Sequence, residues 1–208
     1  MEIKKAIADL RVGKMIVIVD DERRENEGDL MMAAEFVTPE KMAFIIRHTG
    51  GVVCAPISRE IADKLKLTPM VKDNQDKFTT PFTVSVDSVK TNTGISAADR
   101  CLTARMLASA NAGPTDLTRP GHLFPLVAKA GGVLERAGHT EAAVDLCRLA
   151  NLRPAAVISE LMARDGTMMR AAALKKFAKR HKLTLISISD LINYSSATFT
   201  LGPMLLVK

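Results

Sequence analysis

The sequence lacks any apolar run of about 18 residues or more, the length that a membrane-spanning helix needs. Residues 1–14 also lack the apolar core and the small-residue cleavage site of a secretory signal. The chain has three cysteines, Cys54, Cys101 and Cys147, and no CxxC pair, so we expect neither a disulfide framework nor a zinc cage. These absences favour a cytoplasmic protein with buried, reduced thiols and no membrane partner.

Several nucleotide-binding and hydrolase motifs are also absent: there is no P-loop, no dinucleotide-binding fingerprint and no nucleophile elbow. The net charge is +6 and the isoelectric point is about 9.3, which suits either a nucleic acid or a small phosphorylated substrate. The densest basic run, residues 175–182, contains one aromatic residue and no recognised nucleic-acid-binding motif. We interpret it as a solvated helix face and expect no nucleic-acid partner.

Patterns typical of strands and helices alternate along the 208 residues, 47% of which are hydrophobic and 25% charged. The predicted strands cover residues 15–19, 51–57, 82–89, 154–162 and 184–188. The predicted helices cover residues 1–14, 38–51, 58–67, 96–113, 139–152 and 169–183. No linker interrupts the alternation, so we expect an α/β protein: a single-domain three-layer sandwich with a mixed sheet and helices packed on it.

Local signals set several boundaries of these elements. Three of the helices follow a residue that can cap their first turn: Thr38, Ser58 and Ser96. Residues 82–89 alternate apolar and polar side chains, which predicts a half-buried strand. Residues 113–138 are rich in Gly and Pro, so we expect at most short strands there. Residues 195–208 match no regular element, and we assign the domain to residues 1–194 and the remainder to a tail of unclear role.

The strongest local concentration of charge is "DDERRENEGD", residues 20–29, directly after an apolar strand pattern. Six of its ten residues are acids and two are adjacent arginines. Crowded carboxylates repel one another unless a cation or a hydrogen-bond donor offsets them, and such oxygen ligands suit magnesium or manganese. Ligand sites of α/β proteins lie at the carboxyl ends of strands. The run therefore indicates a metal site, and a solvated turn is the alternative.

The start of the helix predicted at residues 139–152 is a second candidate site. Thr140 can cap this helix, and its unpaired backbone N–H groups beside Arg136 would bind phosphate. His139, at the same helix start, offers a ring nitrogen to a metal. Its alternative is a structural role in the core.

Two further titratable residues stand at positions where chemistry is plausible. His122 lies in a loop rich in Gly and Pro, where it is either a packing residue or a general acid or base. Glu160 ends an apolar strand, and an acid there is costly unless it is paired in a salt bridge or serves a function.

Four stretches, in this order, closely resemble the 3,4-dihydroxy-2-butanone 4-phosphate synthase family of riboflavin biosynthesis: "DDERRENEGD", "TGISAADR", "RPGHLFPL" and "GGVLERAGHTEAAVDL". The resemblance extends over residues 3–194. It implies a lyase that converts D-ribulose 5-phosphate to 3,4-dihydroxy-2-butanone 4-phosphate and formate, using Mg²⁺ or Mn²⁺, with two ions per active site. It also implies a homodimer whose active sites lie near the subunit interface, and a chain that is either fused to GTP cyclohydrolase II or works beside it.

The resemblance also assigns roles to residues that match the family's motifs. Glu25 and His139 would hold the metal, and His122 and Glu160 would be essential to the chemistry. In that chemistry a proton leaves a carbon beside a carbonyl, water is lost, the skeleton rearranges and formate departs. The substrate would be bound by the remaining matched positions together with both metal ligands: Arg24, Glu25, Asp29, Arg136, Ala137, Gly138, His139 and Thr140.

The chain departs from the usual family pattern at Asn92, where threonine is usual, and at Pro81, where a small residue is usual. Three alternatives remain at this point: an isomerase or aldolase for another phosphosugar, a nucleic-acid-binding module and an inactive structural partner. Formate release separates the first from the lyase, and steeply salt-dependent binding to nucleic acid would reveal the second.

Overall fold

The structure is a computed structural model that describes residues 2–200, with side chains described as far as Ala197. Its strands are β1 (Ile16–Val19), β2 (Gly28–Ala33), β3 (Cys54–Ile57), β4 (Val86–Ser88), β5 (Leu117–Val127), β6 (Ala156–Glu160) and β7 (Thr184–Ser187). They form one seven-stranded sheet with the order β4-β5-β3-β6-β2-β1-β7. The pairs β1–β7 and β3–β5 are parallel and the other neighbours are antiparallel, so the sheet is mixed, as predicted.

Helices cover both faces of this sheet. They are α1 (Glu2–Arg11), α2 (Pro39–His48), α3 (Arg59–Lys64), α4 (Ala97–Ala108), α5 (His139–Leu149), α6 (Ala171–His181) and α7 (Ile188–Thr200). One apolar core joins one face of the sheet to α2, α3, α4 and α6, and a second joins the other face to α1, α5 and α7. The predicted α/β three-layer sandwich is therefore confirmed.

The strands reach both cores by alternation along the chain. In β1, Val17 packs into the first core, and Ile16 and Ile18 pack into the second. In β2, Leu30 and Met32 face the first core, whereas Met31 and Ala33 face the second. A strand buried on both faces shows little variation in polarity along its sequence, which explains why such strands appear as continuous apolar runs.

The predicted caps of α2, α3 and α4 and the apolar face of α1 are confirmed. The side chains of Thr38, Ser58 and Ser96 each accept a hydrogen bond from a backbone N–H in the first turn of their helix. The first helix buries its predicted apolar face, which consists of Ile3, Ala6, Ile7 and Leu10. The basic run at residues 175–182 lies mainly on the exposed side of α6, and the three cysteine thiols are buried and free. Among the described residues, no helix combines the length and the apolar composition needed to cross a membrane.

Two strands differ from the sequence prediction. Strand β2, which is buried at every position, was not predicted, because it begins inside the acidic run. Residues 113–138 were expected to hold at most short strands, and that expectation is wrong, since β5 has 11 residues. Pro120 and Gly121, which suggested a loop, lie where the pairing of β5 with β4 is irregular, so they interrupt this pairing without ending the strand.

Two further boundaries need correction. The half-buried strand predicted at residues 82–89 is reduced to β4, whose three residues are all buried, and residues 82 and 83 form isolated bridges only. The expectation that residues 195–208 contain no regular element is wrong for residues 195–200, which continue helix α7. Residues 201–208 lie outside the described residues.

Candidate active site

Three strand ends and one helix start meet at one edge of the sheet. The acidic loop, which we define as residues 20–27, connects the end of β1 to the start of β2. Asp29 on β2 lies directly opposite Glu160, the last residue of β6, in the antiparallel register. The first residue of α5, His139, is close enough for its charge to act on both acids. The fold therefore brings most of the predicted site residues together.

The acidic loop is folded around the buried carboxylate of Asp20. Its oxygens accept hydrogen bonds from the backbone N–H groups of Glu25 and Glu27, at 3.1 and 2.9 Å. The guanidinium of Arg24 bridges two acids of the loop, with Nη1 3.0 Å from Asp20 Oδ2 and 2.5 Å from Glu25 Oε2. Arg24 thus holds the Glu25 carboxylate toward His139, whose Nδ1 lies 3.6 Å from Glu25 Oε2.

Burial and mutual repulsion act on the carboxylates of Asp29 and Glu160. Burial, opposed by the charge of His139, raises the pKa of Asp29 to about 6. Burial, together with the charge of Asp29, raises the pKa of Glu160 to about 7. Like charges directly opposite in a sheet destabilise it, so this pair is unfavourable for folding when both acids are ionised.

The charges of His139 and Glu25 shift in the opposite sense. Burial disfavours protonation of His139, but the nearby charge of Asp29 and the Glu25 carboxylate, 3.6 Å from Nδ1, outweigh it and raise its pKa to about 9. Burial would raise the pKa of Glu25, but the adjacent His139 ring and the charge of Arg24 lower it below its ordinary value. In the absence of a metal, His139 therefore supplies positive charge that a cation could replace.

The arrangement of donor atoms fits a divalent cation. Asp20, Glu25 and His139 each offer one ligand atom, and these atoms all lie within 4.8 Å of one another. Three buried atoms of the site have no hydrogen-bond partner among the described residues: Asp29 Oδ1, His139 Nε2 and Glu160 Oε2. Buried polar atoms are normally satisfied, so these atoms indicate a missing ligand. Two or three carboxylates with one imidazole suit magnesium or manganese.

The start of α5 differs in detail from the prediction. Its N-cap is Gly138, and no side chain caps the helix, so the prediction that Thr140 acts as the cap is wrong. Thr140 is buried within the first turn. A Cβ at position 138 would lie 2.3 Å from Arg136 Nη1 and 2.9 Å from Glu141 Oε2, so a larger residue there would displace these two side chains. Ala137 is exposed beside this turn.

Arg136 is held firmly rather than free. Its Nη1 lies 2.7 Å from Glu141 Oε2, and its Nη2 donates to the carbonyl of Phe78 at 3.0 Å. Glu141 is fully buried, and its other oxygen accepts the backbone N–H of Lys129. The ring of Phe78 also lies under the Arg24 guanidinium, at 5.0 Å. The loop that contains Phe78 therefore connects the two arginines that we predict to bind substrate.

His122 lies in strand β5, so the prediction of a loop position is wrong. It contacts Asp87 and not the acidic cluster. The register aligns Phe124 of β5 and Ile158 of β6 with the same residue of β3, and both face the same core. His122 and Glu160 lie two residues beyond these positions, toward the same end of the strands, and β3 lies between the two strands that carry them.

Three residues of the site were not singled out from the sequence. Asp20 was hidden among the other acids of its run, and only the folded loop distinguishes it. Glu141 and Asp87 carry no local signal, because each one acts through a partner that the fold supplies.

The fold and this cluster define the class: an α/β protein with a candidate divalent-metal site at one edge of a mixed sheet. The sequence profile of the 3,4-dihydroxy-2-butanone 4-phosphate synthase family matches residues 4–194. The chain belongs to this family.

Individual relatives are similar over almost the whole chain. The 3,4-dihydroxy-2-butanone 4-phosphate synthase of Sulfurospirillum multivorans is 50% identical over 194 residues, which are 93% of this chain and 54% of the relative. A crystal structure of 3,4-dihydroxy-2-butanone 4-phosphate synthase in complex with two magnesium ions has a TM-score of 0.91 and 46% identity, covering 94% of this chain and 97% of that one. RibBX from A. baumannii, a two-domain synthase, has a TM-score of 0.90 and 49% identity, covering 92% and 57%. The chain spans about half the length of the curated relatives that it matches.

Proposed function

We propose that the protein is a lyase that converts D-ribulose 5-phosphate to 3,4-dihydroxy-2-butanone 4-phosphate and formate, and so supplies the four-carbon unit of riboflavin. The observation that carries the proposal is the partly buried cluster of Asp20, Glu25, His139, Asp29 and Glu160 in a chain of this family. We assign the activity to a domain of residues 1–194.

We propose that Glu25 and His139 hold Mg²⁺ or Mn²⁺, with the carboxylate of Asp20 beside them. The relative in complex with two magnesium ions supports two ions per site. When bound, the cation supplies Lewis-acid stabilisation of negative charge on substrate oxygens. Glu25 is fit for this role, because Arg24 and the folded loop hold its carboxylate in place before any ligand arrives.

The residues around the cluster orient the substrate and move protons. We propose that Arg24, Asp29 and the segment 136–140 bind the phosphosugar. The raised pKa values of Asp29 and Glu160, about 6 and 7, lie close to neutral pH. An acid near the working pH both takes and returns a proton efficiently, which the enolisation and dehydration steps require. Glu160 is accordingly the group that we assign to proton transfer.

We also propose a homodimer whose sites lie near the subunit interface. His122 stands apart from the acidic cluster, and the elements around it expose large apolar side chains. Val89 after β4, Ile95 before α4 and Leu102 on α4 are between 43% and 49% exposed. Exposed apolar side chains on elements around one site residue favour burial against a partner. A second subunit that covers them would enclose His122 and bring it into a shared site.

The functional test is the release of formate from D-ribulose 5-phosphate with Mg²⁺ and the purified chain. Wild-type protein should produce one formate for each four-carbon phosphate, which an isomerase or aldolase would not do. His122→Asn and Glu160→Gln should still bind the substrate but turn over at least ~100-fold more slowly, because general acid–base groups contribute about 10²–10⁴-fold. Either variant that keeps more than about a tenth of wild-type turnover would remove its residue from the chemistry.

Two features concern the cellular setting. Relatives named RibBA are about twice as long as this chain, and RibBX is a two-domain protein, which supports a fused partner such as GTP cyclohydrolase II. The three free, buried thiols suit the reducing conditions of the cytoplasm, where we place the protein.

A further inference from the structure

We propose that Asp87 is a positioning residue for His122, fixing the imidazole so that Nδ1 carries its proton and Nε2 is the nitrogen that meets the substrate. This inference deepens the proposed function. Its predicted effect on turnover rests on that function, whereas the predicted tautomer of the His122 imidazole does not. Asp87 lies outside the acidic cluster and is none of the residues to which the family resemblance assigns a role.

Asp87 holds His122 at two points. One oxygen, Oδ1, accepts the backbone N–H of His122 at 2.9 Å, and the other, Oδ2, lies 2.7 Å from the ring nitrogen Nδ1. The carboxylate is 8% exposed, whereas the imidazole is 43% exposed. The buried acid is therefore the fixed partner, and the part of the ring that does not face it is open to a ligand.

The fold departs from regular pairing to make this contact. Between β4 and β5 the register moves from Val86 opposite Leu123 to Asp87 opposite Thr118, so residues 119–122 bulge from the ladder. A side chain on Gly121 would lie 2.0 Å from the Val86 carbonyl carbon, so this crossing needs glycine. Bulges of this kind re-aim side chains beside functional sites.

A glycine turn closes over the pair. A Cβ on Gly94 would lie 2.0 Å from Asp87 Oδ2 and 2.5 Å from His122 Nδ1, and its φ of +87° also favours glycine. The turn is fixed from the far side by Asp99, whose carboxylate accepts the backbone N–H groups of Asn92 and Gly94, both at 3.2 Å. The turn therefore packs directly against the Asp87 carboxylate and the His122 ring nitrogen that it faces.

The number of acceptors determines the tautomer. An ionised carboxylate only accepts, so both groups that face Asp87 must donate. The backbone N–H always donates, and the ring does so only with its proton on Nδ1, which leaves a lone pair on Nε2. When Nε2 takes a proton from the substrate, the carboxylate stabilises the resulting imidazolium and returns His122 ready to give the proton back.

Asp87→Asn tests this reasoning with almost no change of shape. The amide has one acceptor, and the backbone N–H of His122 must use it. The NH₂ group then faces Nδ1, which can only accept, and the proton must move to Nε2. The ¹⁵N chemical shifts of the imidazole nitrogens report which nitrogen carries the proton. The His122 signals are assigned as those that disappear in His122→Asn, since the chain has four histidines. Asp116→Asn is the control. The Asp116 carboxylate lies just before β5 and accepts the backbone N–H of Gly113, and it does not contact His122.

In wild-type protein at a pH where the ring is neutral, we expect the proton on Nδ1. In Asp87→Asn we expect it on Nε2, with turnover at least ~100-fold lower and a Michaelis constant within about threefold of wild type. Asp87→Glu, which keeps two acceptors, should retain the wild-type tautomer and more activity than Asp87→Asn, and Asp116→Asn should retain both tautomer and turnover.

An Nε2–H tautomer in wild-type protein overturns the proposal, as does an Asp87→Asn variant that keeps both the wild-type tautomer and wild-type turnover. If wild-type protein releases no formate, the proposed function fails, and the tautomer measurement alone decides the role of Asp87.

Discussion

Replacing Glu160 with glutamine should stabilise the metal-free protein at alkaline pH while it abolishes turnover. Glu160 lies opposite Asp29 in the register, and one oxygen of each acid is buried without a partner among the described residues. The amide of a Glu160→Gln variant adds a donor beside the Asp29 carboxylate and removes one buried negative charge. Both changes favour the folded state.

The magnitude follows from the pKa of Glu160, which is raised from 4.5 to about 7. A raised pKa means that the folded protein binds this proton more tightly than the unfolded chain does. The free energy of unfolding therefore falls as the pH rises from about 4.5 to about 7. The difference of about 2.5 pKa units corresponds to about 3 kcal/mol of unfolding free energy. The wild-type protein has lost this stability once the pH exceeds about 7, and the variant keeps it.

The assay is urea unfolding in EDTA at pH 8 and pH 5. We expect Glu160→Gln to be more stable than wild type by about 3 kcal/mol at pH 8, with a much smaller difference at pH 5. Glu22→Gln, a change at an exposed acid of the same loop, is the matched control and should alter stability at neither pH. A variant no more stable at pH 8 than wild type, or equally stabilised at both pH values, would refute the reasoning.

The remaining predictions test the metal, the helix start and a structural carboxylate. Glu25→Gln and His139→Ala should each weaken Mn²⁺ binding at least ~10–100-fold by calorimetry, and unchanged binding in both would exclude them as ligands. Arg136→Ala should mainly raise the Michaelis constant, because we expect Arg136 to contact the substrate equally before and during the chemical step. Glu141→Gln, which alters the partner of Arg136, should raise the constant less. An unchanged Michaelis constant in both variants would remove Arg136 from the substrate site. Asp9→Asn should lower the free energy of unfolding by about 2 kcal/mol at pH 7. Burial opposes ionisation of Asp9, but hydrogen bonds from Thr184 and two lysines lower its pKa to about 2. The stability that ionised Asp9 contributes is present above about pH 4 and is lost as the pH falls through 2. A difference in unfolding free energy between Asp9→Asn and wild type that persists unchanged at pH 2 would contradict this prediction.

The helices were predictable because their signals are local. A capping hydroxyl such as that of Thr38 or Ser58 bonds to a backbone N–H only three residues away, so the sequence contains both partners. The amphipathic face of α1 likewise appears in a single window. Elements with such signals begin within a residue or two of their predicted positions.

The strands at the site were harder to predict for an equally physical reason. β2 begins with Gly28 and Asp29, which resemble the end of a polar loop, because this strand carries a site residue into the buried sheet. β5 contains Pro120 and Gly121 because it must bulge to present His122. In both strands the residues that conflict with the strand pattern serve the site, so local preference and function disagree there.

The site was predictable to the extent that its charge is local. The acidic run was expected from the residues themselves, whereas the pairing of Glu25 with His139 was expected only from the family resemblance. Asp87 and His122 are 35 residues apart, and nothing in either segment indicates that they meet. Arg136 was expected to be free for phosphate, and its buried partner Glu141 lies within the helix that it precedes. Partners of this kind become visible only when the chain is folded.

The contrast among buried carboxylates identifies where the fold needs a ligand. Asp87 is satisfied by His122, Glu141 by Arg136 and a backbone N–H, and Asp9 by Thr184 and two lysines. Asp29 and Glu160, by contrast, face each other with an orphaned oxygen each. The fold therefore supplies hydrogen-bond partners to buried acids elsewhere. Among the described residues, the two unpartnered carboxylate oxygens are confined to this edge of the sheet. Such a pair persists where something bound in function compensates for it, and the nearby ring nitrogen of His139, also unpartnered, indicates a cation.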